Sequence, residues 1–239
     1  MNSLSQILST ISYLALPLML AIVLHEYAHG WVADRFGDST ARLQGRLTTN
    51  PLAHIDPFGT ILFPLICLLL PGGFFLAWAK PVPVNPAQLR HPRRDMAIVA
   101  AAGPGMNLIL AIASAIFYAL LMQIDHAFPA AAASSDMAVP RDVVGMFVVP
   151  LAVMARYSIL INVLLMVFNL IPIPPLDGGR ILANLLPARS AMALDRVEPY
   201  GMLIIVGLIL LDPQIHVIET LTGTVVSTIV GKIGALGMG

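Results

Sequence analysis

The chain has 239 residues, of which 58% are hydrophobic and only 11% charged, and its mean hydropathy is +0.85. Soluble domains carry about 25% charged residues, so this composition excludes an ordinary soluble protein and points to an integral membrane protein. A net charge of zero removes the electrostatic basis for binding nucleic acid. The single cysteine, Cys67, excludes an internal disulfide and a cysteine-based zinc site, and reads as a small hydrophobe.

The first apolar segment covers about residues 11–33, ISYLALPLMLAIVLHEYAHGWVA. It has neither a basic flank nor a small-residue cleavage site before it, so it is expected to be retained. Near its end stands His25-Glu26-Tyr27-Ala28-His29. Four residues turn a helix by about 400°, so both imidazoles fall on one face and can converge on one metal ion. Glu26 is then placed to act as general base on a metal-bound water. The bland alternative is a pair of histidines bonding headgroups or carbonyls at a helix end. An ionisable cluster in an apolar segment is costly, however, and therefore argues for function. Two imidazoles, a carboxylate oxygen and water form a common catalytic zinc set.

The loop at about 34–57 carries Arg35, Arg42 and Arg46, and also His54, which reads as a support for a ligand, a substrate contact or a loop residue. Asp56 before Pro57 suits a helix start. A second apolar segment, about 58–79, is broken by Pro64 and by Pro71-Gly72-Gly73. The third, about 96–123, contains Gly103-Pro104-Gly105-Met106-Asn107, in which the glycines suggest close packing. The fourth, about 143–171, ends in Asn169-Leu170-Ile171-Pro172-Ile173-Pro174-Pro175-Leu176-Asp177-Gly178-Gly179. Asp177 is the best candidate for a third ligand. It would serve equally as the N-cap of a helix over 178–186. The glycines after it allow backbone to pack beside the carboxylate. A fifth segment lies at about 197–211 and a weaker sixth, diluted by Thr, Ser and Gly, at about 214–236.

Charge in the loops suggests a topology. The loops at 34–57, 80–95 and 172–196 are rich in Lys and Arg, whereas 124–142 has only Arg141. The positive-inside rule is satisfied if the second segment enters the membrane and returns, as a helix over about 58–70 followed by a strand-like return over about 74–84. The basic loops and the active site then face the cytoplasm. Irregular backbone at that depth needs protein or a water cavity around it.

The combination of H-E-x-x-H in a first membrane helix with N-x-x-P-x-P-x-x-D-G much later resembles the site-2 protease family of intramembrane zinc metalloproteases. Ala102-Gly103-Pro104-Gly105-Met106-Asn107 is similar to that family's G-P-x-x-N element. Asn50-Pro51-Leu52-Ala53-His54-Ile55-Asp56-Pro57 and Trp78-Ala79-Lys80-Pro81-Val82 resemble a compact bacterial branch without PDZ or CBS domains. The resemblance covers about residues 11–187 and departs from the pattern in the extra proline of Pro174-Pro175. It implies an all-α polytopic membrane protein with a small membrane-re-entrant strand element, mapping to about 40–50 and 74–84. It further implies one Zn2+ per chain on His25, His29 and Asp177, with Glu26 as base and then proton donor to the leaving amine. The implied partner is the transmembrane helix of a substrate, and the implied location is the bacterial inner membrane.

The oxyanion that forms during cleavage needs a donor besides the metal. Asn107 and Asn169 are the amides at the right depth, although Asn107 would serve equally as an interhelical hydrogen bond. The chain reads as one membrane-embedded domain over 1–239, with a catalytic core at about 11–187 and accessory helices at about 197–236. Two other readings are a catalytically silent escort of the same fold and a metal transporter. The intact Glu26 opposes the first. The second predicts ionisable residues strung along a path, and the third segment has none.

Overall fold

The computed structural model describes residues 4–62, 78–127 and 143–237. The described residues form α1 (Leu4–Arg35), α2 (Thr40–Leu43), α3 (Pro92–Ala127), α4 (Val143–Asn169), α5 (Asp177–Leu185), α6 (Ala188–Asp195), α7 (Glu198–Ile215) and α8 (Val217–Gly237). Short turns of tighter or wider helix lie at Pro51–His54, Pro57–Leu62 and Pro86–Gln88. Each of these begins with proline, whose fixed φ suits a first helical position. Before each, an Asx side chain accepts from the backbone. Asn50 takes Leu52 N–H, Asp56 takes Phe58 and Gly59 N–H, and Asn85 takes Ala87 N–H.

Among the described residues, five stretches are long and apolar enough to cross a membrane: Ile11–Arg35, Pro92–Ile124, Gly145–Asn169, Glu198–Ile215 and Val217–Ala235. At 1.5 Å per residue, 18 residues reach about 27 Å, close to the hydrocarbon thickness of a bilayer. Large apolar side chains point outward along them, with Phe147 63%, Ile109 61% and Leu203 72% exposed. Such surfaces are unfavourable in water and natural against lipid. The molecule is an all-α polytopic integral membrane protein.

The weak sixth segment is a full helix, α8, despite its Thr, Ser and Gly. His216 alone separates it from α7, in the left-handed region at φ 52°. The Asp212 carboxylate caps the start of α8 by accepting from Ile218 N–H at 2.8 Å and Glu219 N–H at 3.3 Å.

The expected strand element is not found among the described residues. Residues 40–50 are instead α2 followed by turns through Gly45 (φ 65°). Residues 78–85 are irregular and join no ladder. Their prolines, Pro81 and Pro83, lack an N–H. The N–H groups of Trp78, Lys80, Val82 and Asn85 go to Gly59 O, His54 O, Glu26 and Asp38. The rest of the second apolar segment, 63–77, with Cys67 and the expected re-entrant turn, lies outside the described residues.

The chain divides into two compact units. One comprises Ile22–Asn107 and Leu165–Glu219. Its core includes Ala33, Leu89 and Val99, with Phe36, Val84 and Met96 packed against them. The fully buried Asp38 ties its loops together, accepting from Thr40 N–H at 3.0 Å and from Asn85 N–H at 2.6 Å. The other unit comprises Met1–Ala21, Leu108–Leu164 and Thr220–Gly239. It is packed around Leu121, Val148 and Ala152, and a Ser114–Ser158 hydrogen bond of 2.7 Å lies within it.

Candidate metal centre

Within the first unit, α1 presents His25 and His29 on one face, as the four-residue spacing requires. Their rings meet edge to face, with centroids 4.7 Å apart. Asp177 joins them from the first turn of α5. It is not the N-cap there. Leu176 occupies that position without a side-chain bond, so the Asp177 carboxylate is left to turn toward the histidines. His25 Nε2 and His29 Nε2 lie 3.1 Å apart, and Asp177 Oδ2 lies 3.2 Å from the first and 3.3 Å from the second. All three residues are buried.

The protonation of the rings is set from behind. His29 Nδ1 is 2.7 Å from the carbonyl oxygen of Val99, which can only accept, so Nδ1 carries the proton. His25 Nδ1 donates in the same way to Asn107 Oδ1 at 2.6 Å. In each neutral imidazole the lone pair then sits on Nε2. Two nitrogen lone pairs and a carboxylate oxygen therefore face one another, and Oδ2 has no hydrogen-bond partner. Such a triangle of donors is unfavourable by itself and is relieved by a cation. Ligands 2.0–2.1 Å from a tetrahedral zinc stand about 3.3–3.4 Å apart, close to the separations found. The donor set fits a metal ion.

Glycines make this approach possible. A Cβ on Gly103 would overlap both imidazole rings, and Cβ atoms on Gly178 and Gly179 would strike the backbone at Leu170, Ile171 and Pro174. The expected close packing is thus found at Gly103 and beside Asp177, whereas Gly105 faces open space.

The centre opens into a cavity of about 420 Å3. Glu26, Asn169 and Arg180 contribute polar groups to its lining, and Ile22, Phe168 and Ile205 apolar ones. Glu26 is half-buried, and its Oε2 accepts from Val82 N–H at 2.8 Å. Asn169 lines the cavity with its amide N–H bonded to Leu165 O in its own helix. Asn107 does not line it. It is 0% exposed and sits behind His25, so of its two expected roles the structure shows the contact with another helix. His54 is also outside the cavity lining. Buried beneath its loop, it donates from Nε2 to Thr48 O at 2.9 Å.

Residues 13–211 match Peptidase family M50. The chain belongs to peptidase family M50. As an M50 member it is a metallopeptidase, a hydrolase, of the site-2 protease type. Among relatives, "Putative zinc metalloprotease YwhC" of Bacillus subtilis is 39% identical over 197 residues, covering 82% of this chain and 80% of that protein. "Putative zinc metalloprotease Rip2" of Mycolicibacterium smegmatis is 30% identical over 194 residues, 80% of this chain and 64% of the relative. The protein of the same name from Mycobacterium tuberculosis H37Rv is 27% identical over 192 residues, 80% of this chain and 64% of the relative. No solved structure matches the chain.

Sequence reasoning missed three groups around this M50 centre. They are Val99 O behind His29, Val82 N–H on Glu26, and Arg46 behind the segment that carries Val82. The first two are backbone atoms and have no side-chain signature. Val82 could have been suspected, because Pro81 and Pro83 leave it the sole N–H of its triplet.

Proposed function

We propose that this chain is an intramembrane zinc endopeptidase that hydrolyses a peptide bond within or beside a transmembrane segment of a membrane-protein substrate. The observation that carries the reading is the convergence of His25 Nε2, His29 Nε2 and Asp177 Oδ2 beside Glu26, on a helix long and apolar enough to span a membrane. The family and the relatives' names support zinc as the ion, and we take one ion per chain, on the triad of His25, His29 and Asp177.

When bound, zinc supplies a Lewis acid that polarises the scissile carbonyl and lowers the pKa of water toward about 7. Glu26 takes a proton from the attacking water as its oxygen bonds to the carbonyl carbon. It then delivers that proton to the amine nitrogen as the C–N bond breaks. Asn107 and Val99 O hold the ligand rings in the tautomer that presents Nε2. Asn169, lining the cavity, is the amide placed to meet substrate backbone. The cavity admits an unwound segment. The basic loops at 34–57, 80–95 and 172–196 support an orientation with the cavity toward the cytoplasm, and the family resemblance supports a bacterial inner membrane.

The test is cleavage of a panel of single-span substrates by the purified protein in detergent, with the products mapped by mass spectrometry. Chelator-sensitive cuts inside or next to the apolar span, abolished by Glu26→Gln, are expected. Cuts confined to soluble regions remote from the span, or cleavage that survives Glu26→Gln, would overturn the reading.

A further inference from the structure

The irregular segment 78–85 passes over α1 where the helix carries Glu26 and, four residues on, Gly30. A Cβ on Gly30 would come within 2.9 Å of Val82 Cγ1 and 3.2 Å of Leu47 Cδ1, so the bare glycine is what lets the segment lie this close. Val82 sits there with its N–H on Glu26 Oε2 at 2.8 Å. Pro81 and Pro83 have no N–H, so this amide is the only backbone donor of the triplet. The segment is held at its two ends by Trp78 N–H on Gly59 O and Asn85 N–H on Asp38, and next to Val82 itself the hold comes from Arg46. Its guanidinium donates to Ala53 O, to Lys80 O at 2.9 Å and to Pro81 O at 3.2 Å, tying the segment to the 46–54 loop immediately before Val82. A second tie, Lys80 N–H to His54 O at 2.9 Å, joins the same two stretches.

We propose that Arg46 is a positioning residue for the cleavage reaction, acting through the Val82 amide on the carboxylate of Glu26. The inference rests on the reading of Glu26 as the base. With one oxygen, Oε2, fixed by Val82, the carboxylate has its other oxygen free to receive the proton of the attacking water, and it cannot rotate away. The planar, forked guanidinium is needed because three carbonyls lie around it. A lysine ammonium is a compact charge and cannot span all three.

The experiment measures three quantities on the full-length protein in detergent: bound zinc, kcat and KM on one cleaved substrate, and hydrogen exchange at the Val82 amide. Because Pro81 and Pro83 carry no N–H, overlapping peptides that differ only in covering 81–83 differ by that single amide. The variants are Arg46→Ala, Arg46→Lys and Glu26→Ala. Wild type should protect Val82. Glu26→Ala and Arg46→Ala should each speed its exchange at least tenfold. Arg46→Ala should lower kcat at least tenfold, with KM within threefold and zinc retained, and Arg46→Lys should restore only part of the loss. If Arg46→Ala does not fold, as judged by lost zinc, Arg46→Lys decides alone, and wild-type exchange with wild-type kcat in it overturns the proposal. A fall in kcat with Val82 still protected, or fast exchange with kcat intact, also overturns it. If Glu26→Ala remains active, the reading of Glu26 as base has failed, which is a result distinct from failure of the role of Arg46.

Discussion

The two imidazoles of α1 are alike in their spacing and unlike in their support. His29 is held by a backbone carbonyl, Val99 O, which substitution cannot remove, whereas His25 depends on the Asn107 side chain. Removing a group that orients a metal-binding histidine commonly costs 10–100-fold in metal affinity. Asn107→Ala should therefore weaken zinc binding by about that factor, and Asn107→Asp, which keeps an acceptor oxygen, should recover most of it. Titration against a competing chelator measures both. Gly103→Val should do worse, because its side chain would occupy the space of both rings. The expected result is a folded protein with little bound zinc, seen by metal analysis of the monodisperse fraction. The spacing of His25 and His29 was legible in the sequence because it follows from helix periodicity alone. The partner of His25 was not, because 82 residues separate it from Asn107 and only the packing of α1 on α3 joins them.

At the scale of elements, the site depends on how two irregular stretches are pinned. The turn before α5 brings Asp177 to α1 because Gly178 and Gly179 let the helix start against its own preceding backbone. The prolines and glycines of this turn were legible, and so was a carboxylate at its end. That the carboxylate is a first-turn residue rather than a cap is a matter of where the chain bends. The other stretch, 78–85, is pinned by Asp38, which is buried and accepts from both Thr40 and Asn85. Asp38→Ala would leave those N–H groups without their partner, at about 1–3 kcal/mol for each group left unsatisfied. It should lower the apparent melting temperature in detergent and speed proteolysis near residue 85, while Asp38→Asn retains one acceptor and part of the stability. A strand-like return was expected over about 74–84, from the loop-charge topology and the family resemblance, and residues 78–84 of it are described. The prolines and the four side-on acceptors leave no row of free N–H groups to form a ladder.

For the whole molecule, composition alone fixed the membrane class, since 58% hydrophobic residues and outward-facing Phe147, Ile109 and Leu203 are one fact seen twice. Hydropathy also located the spans that became α1, α3, α4 and α7. It underrated α8, because Thr, Ser and Gly lower hydropathy without preventing a helix whose hydroxyls bond its own carbonyls, as Thr224 and Thr228 do. Loop charge predicts an orientation, and single cysteines placed in a Cys67→Ala background test it. Residues in 34–57, 80–95 and 172–196 should be labelled from the cytoplasmic side only and residues in 124–142 from the outside, and the reverse pattern would refute the assignment. The proposed centre holds one catalytic zinc ion on His25, His29 and Asp177. Its most direct test is zinc content per chain in wild type, Glu26→Gln, His29→Ala and Asp177→Ala, purified identically and checked for monodispersity. About one zinc is expected in wild type and Glu26→Gln, and loss of most of it in the other two. Full occupancy in folded His29→Ala or Asp177→Ala, or no zinc in folded wild type, would contradict the assignment.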